Sequence, residues 1–316
     1  MTPKHLIATK EILPPSRTKY VLPYVVIFIP AYNEAAMIGK VVQVIRKNYV
    51  GDTERGYWAD VVVVDDGSTD HTVAKARQAG AARVISHPMN QGLGAATRTG
   101  LRTAYEMGAD IAVKIDADYQ HDPNDIDKVI RPILEDRTDA VFGSRLTGGL
   151  RYAMPLYRAL GNRFFNWLVS VLTGLSITDA QTGLMAFHRR YLAVSDIVSD
   201  YNETQQLIMD VWGHHFRIIE VPVVFHPRRT GKSFISLRYP FRVLPTILRM
   251  LVRGNPLSIF VPLGIAVILT GISGGIILLI SPNQLFFGDA SVAILVIGGL
   301  QIILFGMLAD MLNRQR

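Results

Sequence analysis

Four short apolar runs, each broken abruptly by polar residues, set the rhythm of the chain from Tyr24 to Pro123. Tyr24 to Ile29 (YVVIFI) ends at Pro30 and is followed by Ala31-Tyr32-Asn33-Glu34. Val61 to Val64 stops at Asp65-Asp66-Gly67-Ser68-Thr69-Asp70, and Ala82 to Ser86 gives way to Asn90-Gln91-Gly92-Leu93-Gly94-Ala95. Ile111 to Ile115 breaks into Asp116, Asp118, Gln120 and Asp122. Short β-branched runs of this kind predict buried strands of a parallel sheet. The stretches between them predict helices over Ala35 to Lys47, Thr72 to Ala79, and from the Asn90 cluster to Met107. Strands alternating with helices at this spacing imply an α/β fold with a doubly wound, mostly parallel sheet. Such sheets bind ligands outside the carboxyl ends of their strands, and every polar cluster falls there.

The second half has a different texture. Leu150 to Leu175 sets Arg151, Arg158 and Arg163 among Tyr152, Phe164, Phe165, Trp167 and Leu168, which predicts an amphipathic helix, either in the core or against a headgroup layer. His226 to Arg253 carries seven Lys and Arg residues and no acidic one, interleaved with Phe234, Tyr239, Phe241 and Leu244. Leu257 to Ile280 and Ser291 to Leu308 contain no charged residue, and about 20 apolar residues suffice to cross a bilayer as a helix. Gly271 and Gly275 provide a small-xxx-small spacing suited to close helix packing, which admits a homo-oligomer. The connection from Ser281 to Asp289 has no Lys or Arg, whereas basic residues flank the other ends, including Arg314 and Arg316. The positive-inside rule then predicts an integral membrane protein with its catalytic domain cytoplasmic. The expected organisation is a leader over 1–23, a catalytic domain over 24–225, a basic amphipathic juxtamembrane segment over 226–255, and a transmembrane hairpin with a short tail over 256–316. The leader has no continuous apolar core and does not read as a signal peptide.

Composition narrows the partners. Of 316 residues 49% are hydrophobic, and the mean hydropathy of +0.23 is high for a soluble protein. The net charge of +7 suits nucleic acid, an anionic membrane or phosphorylated ligands, but the apolar spans beside the basic segment favour the membrane over nucleic acid. Cysteine is absent, which excludes disulfides and thiolate chemistry. Two familiar phosphate-binding patterns fail: Gly92-x-Gly94 lacks a third glycine and follows the third strand, and Thr230-Gly231-Lys232-Ser233 lacks the upstream glycine of a P-loop.

Asp116 and Asp118, one residue apart at a strand end, can both reach one hard cation through oxygen, with Gln120 as a third donor. A lone D-x-D is more often a solvated turn, so its weight comes from the neighbouring clusters. Asp65, Asp66, Asp116 and Asp118 would repel one another if simply buried. Mg²⁺ or Mn²⁺, bound by carboxylates and phosphate oxygens together, would relieve that cost, and a nucleotide diphosphate is a suitable partner.

Pro30-Ala31-Tyr32-Asn33-Glu34, Val64 to Asp70, Asn90 with Gly92 and Ala95, and Asp116-Ala117-Asp118-Tyr119-Gln120-His121 resemble family 2 glycosyltransferases of the GT-A fold. Gly143-Ser144-Arg145, Tyr157-Arg158, Gly161-Asn162-Arg163, Asp179-Ala180-Gln181-Thr182-Gly183, and Arg229 with Gly231, Lys232 and Ser233 narrow the resemblance to the polyprenyl-phosphate branch, the dolichol-phosphate mannose synthase group and its bacterial relatives. The likeness covers about Tyr24 to Phe234. It implies a nucleotide-sugar site formed by Pro30, Tyr32, Glu34, Asp65, Asp66, Asn90, Asp116, Ala117, Asp118, Arg229 and Lys232. It implies a metal site of Asp116, Asp118 and Gln120 for Mg²⁺ or Mn²⁺. Arg145, Arg158, Arg163 and Lys232 would meet the acceptor phosphate, and Asp118, Asp179 and Arg145 would be catalytic. The implied reaction is inverting transfer of a hexose from a GDP-mannose or UDP-glucose type donor to a dolichyl or undecaprenyl phosphate. The chain departs from the family pattern at Met185, where an Arg is common. A polysaccharide or another lipid is the alternative acceptor, although the Q-x-x-R-W pattern of processive synthases is missing. A non-catalytic nucleotide-sugar scaffold is a further alternative, but it would have no need of the D-x-D-x-Q cluster.

Overall fold

A computed structural model of the chain describes residues 22–148, 161–196 apart from 162, 164, 165, 168, 171 and 172, 203–227, 256–280 and 288–314. The chain divides into two compact units, 1–233 and 234–316, each considered by itself.

The first unit is built on a seven-stranded sheet. Its strands are β1 (Tyr24–Ala31), β2 (Trp58–Asp65), β3 (Arg83–Ser86), β4 (Ile111–Lys114), β5 (Ala140–Ser144), β6 (Met185–His188) and β7 (Ile218–Pro222). Their spatial order is β3-β2-β1-β4-β6-β5-β7. All pairings are parallel except those of β6, which runs antiparallel to both β4 and β5. The four strands expected from the apolar runs are all present. The strands β5 to β7 have four or five residues each and carry too little alternation to stand out from sequence.

Period-two alternation assigns the two faces. Val25, Ile27, Ile29, Val61, Val63, Ile111 and Val113 pack under α1 (Ile38–Tyr49), α2 (Thr72–Gln78) and α4 (Ile126–Leu134). Phe28 and its register partner Lys114 point to the other face, under α3 (Leu93–Glu106). There Gly100 allows a close approach, because an added Cβ would stand 2.1 Å from the Phe28 ring. Helix α1 starts at Ile38, three residues later than the sequence pattern suggests. The N–H groups of Asn33, Glu34 and Ala35 are instead bonded to the side chains of Ser68, Thr72 and Asp70, which holds that segment as a loop. Short helices α5 (Arg145–Gly148) and α6 (Arg189–Leu192) follow β5 and β6, and α7 (Glu203–Gly213) precedes β7.

The second unit contains α8 (Leu257–Ile280) and α9 (Asp289–Arg314). Both are long and apolar enough to cross a membrane, and most of their surface is open: Leu263, Leu279, Ile294 and Leu304 are all at least half exposed. The pair is held by glycine contacts. A Cβ on Gly264 would lie 2.6 Å from the Gly299 carbonyl oxygen, and one on Gly271 would lie 3.0 Å from Leu295 Cβ. The small-xxx-small edge therefore packs against the partner helix of the same chain.

Candidate active site

Strands β2 and β4 flank β1 and run parallel to it, so their acidic termini open at one end of the sheet, about 10 Å apart across two strand spacings. On the β2 side the carboxylates shape loops. Asp65 is buried and accepts from the Ser68 N–H at 3.2 Å. Asp66, also buried, accepts from the N–H groups of Gln91 (3.0 Å) and Gly92 (2.8 Å) and pairs with His87 Nδ1 at 2.8 Å. Asp66 thereby ties the 87–92 loop, including the exposed Asn90, to the end of β2. Asn33, in a left-handed conformation (φ 54°), exchanges bonds with Ser68 and Thr69 and joins the β1 loop to the β2 loop. Pro30 is buried, Glu34 is half-buried, and Tyr32 is exposed beside these loops.

The end of β4 is organised by charge. Lys114 is wholly buried, and its ammonium donates to Asp116 Oδ1 at 2.8 Å and to Glu203 Oε1, at the start of α7, at 3.3 Å. Burial alone would pull its pKa down, but the two carboxylates reverse this and raise it. Asp116 shows the mirror effect: burial pushes its pKa up, Lys114 pulls it down, and the net shift is downward. Ala117 is buried, Asp118 is nearly so, and Asp118 Oδ1 accepts from the Gln120 N–H at 3.0 Å. Between them Tyr119 takes a positive φ of 61°, a strained choice for an aromatic residue that turns the chain sharply between the two acidic positions and Gln120.

His121 joins this cluster to the next. Its Nε2 accepts from the Gly183 N–H at 2.9 Å, so the hydrogen sits on Nδ1, which is buried without a partner among the described residues. Burial lowers its pKa to about 4 and keeps the ring neutral. The ring meets Phe225 edge-on at 5.0 Å, and the Arg145 guanidinium also lies against Phe225, 4.9 Å from the ring centre. Arg145 forms a buried fork with Asp179: Nε to Oδ2 at 2.6 Å, Nη2 to Oδ1 at 2.7 Å, and the backbone N–H to Oδ2 at 3.0 Å. Burial would raise the Asp179 pKa, but Arg145 overrides it and the group stays ionised. Glu220 on β7 fixes the segment before it, accepting from the N–H groups of Thr178 (2.8 Å) and Asp179 (2.9 Å).

Among the described residues, Asp116, Asp118 and Gln120 lie at the β4 terminus and Arg145 with Asp179 follow β5 and precede β6, at the same end of the sheet as Asp65 and Asp66. Arg163 is exposed on a helical turn. Arg158, Arg229 and Lys232 lie outside the described residues. Met185, the departure from the family pattern, is buried at the start of β6 as the register partner of Lys114. At this pair of positions the positive charge stands on β4. Sequence reasoning missed Lys114, Glu203, His121 and Glu220. Lys114 left a signal as a lone cation inside an apolar run, and His121 closes the Asp116-to-His121 motif without a role assigned to it.

Residues 26–193, more than half of the chain, match the family model described as glycosyl transferase family 2. The chain belongs to glycosyl transferase family 2. Among curated relatives it is 38% identical over 185 residues to the UDP-N-acetylglucosamine–dolichyl-phosphate N-acetylglucosaminyltransferase of Methanococcus voltae, covering 53% of this chain and 70% of the relative. It is 29% identical over 222 residues to the undecaprenyl-phosphate mannosyltransferase of Micrococcus luteus, covering 67% and 87%. Among solved structures, glucosyl-3-phosphoglycerate synthase of Mycobacterium tuberculosis in complex with Mn²⁺, uridine diphosphate and phosphoglyceric acid superposes with a TM-score of 0.57. That match has 22% identity over 72% of this chain and 78% of the other, and it shows a shared fold.

Proposed function

We propose that this family 2 glycosyltransferase moves a hexose, with inversion, from a nucleotide diphosphate sugar to a polyprenyl phosphate at the cytoplasmic membrane surface. The observation that carries the reading is the acidic β4 terminus, Asp116-x-Asp118-x-Gln120, set one strand spacing beyond β1 from the Asp65–Asp66 loops and adjoining the buried Arg145–Asp179 fork. The relatives support the acceptor class, since the Methanococcus voltae and Micrococcus luteus enzymes are named for dolichyl and undecaprenyl phosphate. The first also makes a UDP-linked N-acetylhexosamine a candidate donor beside GDP-mannose and UDP-glucose.

The donor set fits a hard divalent ion. It consists of two carboxylates and an amide oxygen, and among the described residues no three His, Cys, Asp or Glu side chains form a closed cage. Mg²⁺ and Mn²⁺ commonly complete such a set with phosphate oxygens and water. Held by Asp116, Asp118 and Gln120, the ion would supply Lewis-acid neutralisation of the departing diphosphate.

The remaining roles belong to the chain itself. A phosphate acceptor with a second pKa of about 6 is largely ionised at pH 7, so the attacking oxygen needs no strong base. Asp179, ionised and locked to Arg145, is a weak proton acceptor and a good orienting group. It fixes the guanidinium as a positive element for the acceptor phosphate, with Arg158, Arg163 and Lys232 as further cations. Asp65 and Asp66 hold the loops that border the base and ribose. The prenyl tail costs about 0.8 kcal/mol per CH₂ to withdraw from lipid, which calls for a membrane-anchored enzyme. The two apolar helices and the basic segment before them meet that need.

The test is a nucleotide-sugar panel assayed with prenyl phosphate in detergent, with and without Mn²⁺ or Mg²⁺. Transfer should require the ion and disappear in Asp118→Ala. Transfer that persists in that variant, or that ignores prenyl phosphate for another acceptor, would refute the reading.

A further inference from the structure

Lys114 has a position that catalytic chemistry does not require and that folding alone would not favour. Among the described lysines and arginines it is the one with no solvent exposure. Burying an ammonium is costly unless the environment compensates it fully. The side chain rises from a central strand, paired in register with Phe28 on β1 and Met185 on β6, and both neighbours are themselves fully buried. Its ammonium is held by Asp116 Oδ1 at 2.8 Å and Glu203 Oε1 at 3.3 Å. So enclosed, it cannot swing aside to release Asp116. The Asp116 side chain is itself one-third exposed, and its Oδ2 occupies the space that a Cβ on residue 183 would fill.

Building on the metal-assisted transfer proposed above, we infer that Lys114 is a positioning residue that stands in for part of a divalent cation's charge at the β4 terminus. It makes retention of the ion depend on the nucleotide diphosphate. With one oxygen of Asp116 bonded to an ammonium, and one of Asp118 to the Gln120 N–H, the protein alone offers a weak seat for a free ion. A diphosphate brings the missing negative charge and oxygen ligands, so ion and nucleotide reinforce each other's binding, and by linkage they do so reciprocally. Without the ammonium, Asp116 and Glu203 would face each other as uncompensated anions, and a divalent ion would be drawn in to replace it.

The experiment measures Mn²⁺ binding to the full-length protein in detergent by electron paramagnetic resonance, with Mn²⁺ alone, with UDP and with GDP. Wild-type protein should bind Mn²⁺ weakly alone and at least about tenfold more tightly with the accepted diphosphate. Lys114→Met should bind Mn²⁺ alone about tenfold more tightly than wild type, with the nucleotide enhancement reduced by a similar factor. Glu203→Gln, which leaves Lys114 wholly to Asp116, should bind Mn²⁺ alone several-fold more weakly and keep the enhancement. Far-UV circular dichroism reports folding of each variant. A folded Lys114→Met with unchanged or weaker Mn²⁺ affinity would overturn the inference, as would tight nucleotide-independent binding by the wild type. Should Lys114→Met not fold, the Glu203→Gln result decides: weaker binding supports the inference and unchanged binding overturns it. A wild type that binds Mn²⁺ under none of the three conditions would instead remove the metal-assisted reading on which the inference rests.

Discussion

On the β2 side of the crevice, acidic side chains are satisfied chiefly by backbone amides; on the β4 and β6 side, the two most deeply engaged ones are satisfied by cations. Asp66 takes two N–H groups and the His87 imidazole, and Asp70 takes the N–H groups of Ala35 and Thr72. Asp116 and Asp179 take Lys114 and Arg145. An amide bond of this kind defines the path of a loop and carries no net charge. A buried ion pair fixes a local charge balance, so removing one member leaves the other stranded. The first arrangement fixes the course of the loops, and the second fixes the local charge.

The comparison can be broken most severely at Arg145. Arg145→Met leaves Asp179 buried and uncompensated, which should cost about 3–5 kcal/mol in denaturant titrations and abolish transfer. The sign with pH is definite. Asp179 has a depressed folded-state pKa, so its pairing contributes fully above the ordinary carboxylate range and is lost as pH falls through the lowered value. The deficit of the variant should therefore shrink in acid. A deficit that is constant down to about pH 3, below the usual Asp pKa of about 3.9, would refute the ionic account.

Next in size, Asp66→Ala strands two loop amides and His87, with an expected loss of about 1–3 kcal/mol and a rise in the KM for donor larger than the fall in kcat. Asp66→Asn keeps an acceptor oxygen and should recover part of both. Recovery by Asn has no counterpart on the cationic side, where Asp179→Asn cannot restore a charge.

A finer probe is Glu220→Gln, which retains an acceptor oxygen for only one of the Thr178 and Asp179 N–H groups and should cost about 1 kcal/mol. Its effect on transfer should exceed its effect on stability, because Asp179 would shift relative to Arg145. The smallest expected change is Ser68→Ala. It removes the acceptor of the Asn33 N–H at an exposed site and should cost about 0.5–1 kcal/mol, visible mainly as faster amide exchange at Asn33.

The left half of the fold was legible because each strand there is a solid apolar run cut off by acidic or small polar residues. The ligand end of a parallel sheet follows from that pattern without further information. The right half was obscure for a physical reason: β5, β6 and β7 are short, and β6 reverses direction through a pairing that local sequence does not encode. Lys114 shows the limit most clearly. As a lone cation in an apolar strand it was visible, but its partner Glu203 lies 89 positions away in sequence, and only the packed chain brings the two together. Glu220 likewise reads as an unremarkable polar residue in a strand until the loop it supports is seen.

Gly183 stands where the two halves of the site adjoin, and its bareness has an evolutionary corollary. A methyl group there would fall 1.9 Å from Asp116 Oδ2 and 3.0 Å from His121 Cδ2. A lineage that acquires a side chain at this position must move the Asp116 carboxylate, and with it the Lys114 bond, out of its present place. Changes at the two positions should therefore be coupled, and alanine at 183 beside an intact aspartate at 116 should lower activity.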